Sequence, residues 1–433
     1  MKKAILLLLL FVLSFTQSKA THLEGGEITW VCIKSGPTAG MYIFKMKIYK
    51  DCNGAAQVPM TPQNILVWNH PSVSMISVNW SDTNDISPTC DPINSGIPQT
   101  DCFNNLGPGS AQEYLFESLP INLPGIPPAG GWHFTWASCC RNNSISNGFA
   151  NEGFTLRAIM YSYTVSGVSQ NTSPCFDSSP IFYEEPKTII CTGYPFSYSH
   201  NASDPELDSL VYSWGEPLDG GTYNPAAPVT LPFSAPYSVN SPFPGNPILN
   251  PATGEVSYFS MTSGNFVTCI KVEAFKCGQL VAEIYREIQV ILIGCLPMIG
   301  GGPNIKPSIT KPFTDTTGGM QIPSYDTTVY AGDLVMFSIK GIDNDVYANG
   351  SPQDLKLEVS GGQFAADYIS TSSCLNPPCA TFNNGAGLTP PFFSPDSVFG
   401  IFEWQTNCSH IASNAGCNTT SNLYTFLVKV SDD

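Results

Sequence analysis

Strict period-two alternation is the feature that most limits what this chain can become. In "YIFKMKIYKDCNG" (residues 42–54), Phe44, Met46 and Ile48 face one way while Lys45 and Lys47 face the other. In "NFVTCIKVEAF" (265–275), Phe266, Ile270 and Val272 alternate with Lys271 and Glu273. "KCGQ" then supplies a turn, and "LVAEIYREIQVILI" (280–293) returns as a long strand; "LYTFLVKV" (423–430) repeats the habit. A side-chain period of two belongs to a strand with one buried face, not to a helix. Short alternating runs separated by Gly, Pro, Asn and Asp predict an all-β chain of tandem β-sandwiches, Ig-like or cadherin-like. Less than about a tenth of the chain is expected in helix.

The leading segment has a separate meaning. Lys2 and Lys3, the apolar run Ala4–Phe15 and the small-residue site Ser18-Lys19-Ala20 have the order of a secretory signal peptide, so residues 1–20 are expected to be removed. The later apolar run "IQVILIG" (288–294) is too short to span a bilayer. An oxidising compartment agrees with 15 cysteines, which read as disulfides; an odd number leaves at least one without a partner in the chain. Cys139 and Cys140, as neighbours, are expected to serve two different partners. Zinc is disfavoured: no CxxC occurs, and His22, His70, His133, His200 and His410 lie outside ligand spacing. Losing Lys2, Lys3 and Lys19 with the signal takes the formal charge from −16 to −19. So acidic a chain, without a basic patch, disfavours nucleic acid as a partner and favours divalent cations.

Composition marks the organisation. Residues 21–187 form a cysteine-rich β domain, 188–296 a cadherin-like sandwich, 297–307 ("PMIGGGPNIKP") a linker, and 308–433 a second, similar sandwich. The two sandwiches look like one plan used twice. "FSYSHNASDPELDSLVYSW" (196–214) and "FSIKGIDNDVYANGSPQDLKLEVS" (337–360) each run from Phe-Ser through an acidic loop into an alternating strand. Lys271-Val272 and Val428-Lys429-Val430 mark a later strand in each.

Asp204, Glu206 and Asp208 raise the functional question, because only 12% of residues are charged. On a regular strand Asp204 and Asp208 would stand roughly 13 Å apart. Pro205 argues instead for a folded loop in which three carboxylates and carbonyl oxygens converge. Like charges held that close call for a cation, and the oxygen ligands suit calcium. The competing reading is a solvated turn whose Asp and Asn side chains cap backbone groups. An EF-hand is excluded, since its Gly and Glu positions hold Ser209 and Gly215. Asp343, Asp345 and Asp354 form the weaker counterpart in the second copy. No GxSxG, HExxH or P-loop pattern appears and no carboxylate pair is singled out for glycoside hydrolysis, so a non-enzyme is expected.

"THLEGGEITWVC" (21–32), "SCCRNNSISN" (138–147), "TSPCFDSSPIFYEEPKTIICTGYPFSYSHNASDPELDSLVYSW" (172–214) and "CGQLVAEIYREIQVIL" (277–292) extend the pattern. Together they resemble the amino-terminal region of large secreted surface proteins of Bacteroidetes. Such proteins carry gliding-motility-associated carboxy-terminal domains and leave the cell by type IX secretion. The resemblance covers residues 21–296 well and the remainder more loosely. It implies cadherin-like modules and a longer chain beyond Asp433, where the odd cysteine would find its partner. The family reads Asp-Pro-Asp-Gly-Asp-Ser-Leu where this chain has Glu206 and Leu207, keeping the charge and losing a glycine. The expected function is a structural or adhesive role at the cell surface, toward an extracellular protein or glycan. The alternative is a carbohydrate-binding accessory region of a secreted hydrolase, using Trp80, Trp132, Trp136, Trp214 or Trp404.

Overall fold

The computed structural model describes residues 23–54, 58–87, 101–104, 106–107, 109–171, 175–186, 189–294, 306–317, 320–347, 349–411 and 421–432. The expected signal segment 1–20 and most of the 297–307 linker lie outside them. Among the described residues there is no α-helix, only a 3-10 turn at Cys408–His410. The chain is all-β, as its alternation predicts.

Seven strands open it: β1 (Leu23–Cys32), β2 (Tyr42–Asp51), β3 (Gln63–Trp68), β4 (Met75–Asp85), β5 (Ala111–Ser118), β6 (Trp132–Ser138) and β7 (Phe154–Met160). Short pieces follow: β8 (Thr164–Val165), β9 (Val168–Ser169), β10 (Ile181–Phe182), β11 (Ile189–Cys191), β12 (Pro195–Ser199) and β13 (Ala202–Ser203). Next come β14 (Ser209–Trp214), β15 (Ile248–Leu249), β16 (Glu255–Phe259), and the long hairpin β17 (Gly264–Lys276) and β18 (Gln279–Ile293). That hairpin is the one expected across 265–293.

β18 organises the described residues up to Gly294. One edge pairs with β17 along its length; the other pairs in turn with β7 (Ala282↔Met160), β1 (Gly26↔Glu287) and, in parallel, β11 (Ile189↔Ile291). The order β1-β2-β5-β4-β3-β6-β7-β18 therefore closes on itself through β1–β18. Closure removes the exposed edges that invite aggregation. The blocks expected on either side of residue 187 thus share one sheet and one apolar cluster, from Leu23 to Leu292. Trp30, Phe44 and Phe134 lie buried inside it, with Phe44 and Phe134 ring centres 4.6 Å apart. A three-stranded sheet, β12-β16-β15, covers the β14-β17-β18 face through Phe243, Val256 and Tyr258.

The last unit is a separate sandwich. It holds β19 (Ser308–Ile309), the hairpin β20 (Phe313–Thr317) and β21 (Met320–Ser324), β22 (Leu334–Ile342) and β23 (Asp354–Ser360). β24 (Thr381–Asn383), β25 (Phe392–Pro395), β26 (Ser397–Gln405) and β27 (Leu427–Ser431) complete it. Sheets β19-β22-β26-β24 and β25-β23-β27 enclose Leu355, Leu357, Phe382 and Phe402. The shared plan is visible in the pairing. In each copy the acidic loop carries the chain from one sheet to the other, and the strand after it meets the Lys-Val strand, as Tyr212↔Val272 and Leu357↔Val430.

Four disulfides join described residues: Cys32–Cys175, Cys52–Cys102, Cys139–Cys140 and Cys374–Cys379. In the third, the two neighbouring cysteines lie side by side across a cis peptide, their Cα atoms 3.1 Å apart. Cys269 is a buried free thiol, pushed up to about 12 by burial and the nearby Glu287.

Candidate metal centre

The acidic loop is a folded turn. Leu207 N–H donates to the Asp204 carbonyl (3.2 Å), and Asp204 Oδ1 accepts from the backbone N–H groups of Glu206 (2.9 Å) and Asp208 (3.1 Å). Leu207 takes a left-handed φ of 65°. The backbone takes a glycine conformation without a glycine.

A second segment completes the site. Cys32–Cys175 ties the end of β1 to residues 175–179. Ser179 N–H donates to the Trp30 carbonyl (3.0 Å), and Cys32 N–H donates to Ser178 Oγ (3.0 Å). Held this way, Ser178 gives both its N–H (3.0 Å) and its hydroxyl (3.1 Å) to the Glu206 carboxylate, while Asp177 projects into the loop. Carboxylate oxygens of Asp177, Asp204 and Glu206 all fall within 4.8 Å of one another.

Asp208 turns elsewhere. Its Oδ1 accepts from Lys276 Nζ at 2.8 Å, and the same ammonium lies 3.1 Å from Asp177 Oδ1, an ion-pair distance without hydrogen-bond alignment. Lys34 Nζ is 3.2 Å from Glu206 Oε1. Asp177 is 1% exposed and Asp204 6%, yet Oδ2 of each has no hydrogen-bond partner. Burial, then the neighbouring carboxylates, pushes Asp177 and Asp204 well above the usual carboxylate range. Burial alone would lower Lys276, but Asp177 and Asp208 outweigh it and hold the amine charged. Fully ionised, the four carboxylates would outnumber the two lysines by two charges, an excess that a divalent ion would balance and that burial otherwise relieves by protonation. Buried carboxylates that converge within 4.8 Å and keep unpartnered oxygens suit a hard oxygen-seeking cation.

The expected residues fare differently. Asp204 and Glu206 converge, Asp208 pairs with an amine, and Asp177, Lys276 and Lys34 join unforeseen. In the second copy Asp343 is buried and its Oδ1 accepts from Asp345 N–H (3.0 Å), but Asp354 begins β23 opposite Pro395. Among the described residues these three form no comparable cluster. Of the tryptophans, Trp132, Trp136 and Trp404 are buried and Trp214 half-buried; Trp80 is exposed, its indole N–H donating to Thr83 Oγ1 (3.0 Å). No protein-family model and no curated protein matches the chain. No helix among the described residues is long and apolar enough to cross a membrane.

Proposed function

We propose that this chain is a non-enzymatic module of a secreted, surface-exposed protein, with a structural or adhesive role, braced by a calcium ion held by Asp177, Asp204 and Glu206. One observation carries the reading: two nearly inaccessible carboxylates whose outer oxygens have no hydrogen-bond partner. Leaving a charged group in that state is costly, and proteins retain such groups where something binds them. The ion would sit where the Cys175–Ser179 segment, the acidic turn and the end of β17 meet, locking the three together. The signal-like leader, the disulfides and the resemblance to secreted Bacteroidetes surface proteins support an extracellular setting. The adhesive target is an extracellular protein or glycan.

Titration calorimetry of the full chain with calcium and with magnesium tests this. Calcium should bind at one site, with Asp204→Asn weakening it at least tenfold. Magnesium, which demands tighter octahedral geometry, should bind less well. No heat of binding with either ion would refute the site.

A further inference from the structure

A cleft of about 210 Å³ opens where the last sandwich meets the first unit. Residues 183–185, between β10 and β11, form one side. The other is the face of β23 and β27 turned away from their core, where Glu358 stands opposite Lys429 and Ser360 opposite Leu427. Tyr368 and the Pro390-Pro391 pair complete the wall. The two units touch here, since a Cβ on Gly362 would lie 3.1 Å from the Tyr183 ring. Hydrogen bonds fix the lining in place. Tyr183 N–H donates to the Asn201 carbonyl (2.9 Å), and Tyr198 Oη donates to the Glu185 carbonyl (2.5 Å). Tyr368 Oη reaches the Val359 carbonyl (3.1 Å) from a left-handed backbone, φ 59°, that a bulky side chain rarely adopts. A cleft formed in advance spares a ligand the cost of ordering it.

Its chemistry is mixed. Two tyrosines, two prolines and Leu427 offer apolar surface, while the charges are already matched among themselves. Lys429 Nζ lies 3.2 Å from Glu184 Oε1 and 3.0 Å from Glu358 Oε2, and Lys356 Nζ lies 2.8 Å from Glu358 Oε1. An ionic ligand would have to break these pairs. A hydroxyl group need not: an ammonium has three N–H donors, of which the two carboxylates take two, and each carboxylate oxygen has a second lone pair. Because a hydroxyl both donates and accepts, it can bridge the ammonium and a carboxylate at once. A cavity of about 150 Å³ holds benzene, so this cleft admits one six-membered ring with its substituents. We propose that it binds a single neutral pyranose at the end of a glycan, with the ring's C–H face against the apolar wall and its hydroxyls on Lys429 and the glutamates. The proposal rests on the adhesive reading for a glycan rather than a free sugar, and it shares no residue with the calcium site.

Saturation-transfer NMR on the full chain tests it, with methyl glucoside, galactoside, mannoside and N-acetylglucosaminide as probes and methyl glucuronide as the acidic control. Ring C–H protons of at least one neutral probe should receive saturation, and those of the glucuronide far less. Leu427→Trp, which fills the cleft from β27, should abolish the signal. If that variant fails to fold, Glu185→Ala at an exposed position should weaken the affinity about tenfold, the worth of one charge-assisted hydrogen bond. No transfer to any neutral probe overturns the proposal, and so does binding unchanged in the folded variants. A glucuronide signal equal to the neutral ones overturns the neutral assignment. Adhesion of the chain to a protein-coated surface without binding of any probe would remove this site and leave the adhesive reading standing.

Discussion

Buried charge is the currency of this molecule at the residue scale, and Glu24 is its simplest example. It is 2% exposed, and neither carboxylate oxygen has a hydrogen-bond partner. Burial, reinforced by Asp51 and opposed by Lys50, pushes its carboxyl well above the ordinary value of 4.5. An acid raised in the folded state holds its proton there longer than in the unfolded chain, so ionising it costs stability as pH rises above the ordinary glutamate range. Glu24→Gln should therefore stabilise the protein at pH 7 by roughly 1–3 kcal/mol. That gain should vanish below about pH 4. Urea melts of both proteins across pH check it, and an equal difference at every pH would contradict the assignment. The same cost explains what was legible at the acidic turn. Asp204 and Glu206 announce themselves by crowding in an otherwise uncharged chain, because repulsion along so short a stretch demands compensation. Asp177 does not: its neighbours are Phe and Ser, and a disulfide between residues far apart in sequence, with the hydrogen bonds beside it, brings it to the site.

Elements decide which of these residues meet. The Cys32–Cys175 bridge closes a loop across a sequence separation of 143 residues. In the chain-entropy account that is worth on the order of 4–5 kcal/mol. Its second role is to deliver Asp177. Cys175→Ala should lower stability by several kcal/mol and also weaken calcium binding, read by calorimetry at a temperature where the variant stays folded. Undiminished calcium affinity would show that the Ser179–Trp30 hydrogen bonds position Asp177 alone. β1–β18 closure depends on a different feature. A Cβ on Gly25 would collide with the Glu287 carbonyl. Gly25→Ala should therefore cost more than about 3 kcal/mol, measured by denaturant unfolding, through separation of β1 from β18. Strands themselves were readable because alternation reports a buried face directly. Their partners were not, since the pattern of β18 is the same whether its free edge meets β7, β1 or nothing. For that reason the break expected at residue 187 falls inside a continuous sheet.

At the scale of the whole molecule, a polar junction links the two largest apolar cores among the described residues. Lys429 Nζ reaches Glu184 Oε1 (3.2 Å) and Glu358 Oε2 (3.0 Å), Ser360 Oγ donates to Glu184 Oε2 (3.0 Å), and Asn201 Nδ2 donates to Ser360 Oγ (3.0 Å). The Glu184 and Glu358 carboxylates outweigh burial and hold Lys429 up to about 12. Lys429→Met should loosen the junction by about 1–3 kcal/mol, and calorimetry should then resolve two unfolding transitions where the wild type shows a more merged one. The central claim concerns the other joint, where the acidic turn, the Cys175–Ser179 segment and the β17–β18 hairpin meet. Its most direct test is the melting temperature of the full chain in calcium against chelator. An ion that binds only the folded state adds about 2.7 kcal/mol at one hundred times its dissociation constant. Calcium should accordingly raise the melting temperature by several degrees, with Asp177→Asn and Asp204→Asn each removing most of the shift. Identical melting in calcium and chelator would contradict the account, leaving the acidic loop a turn.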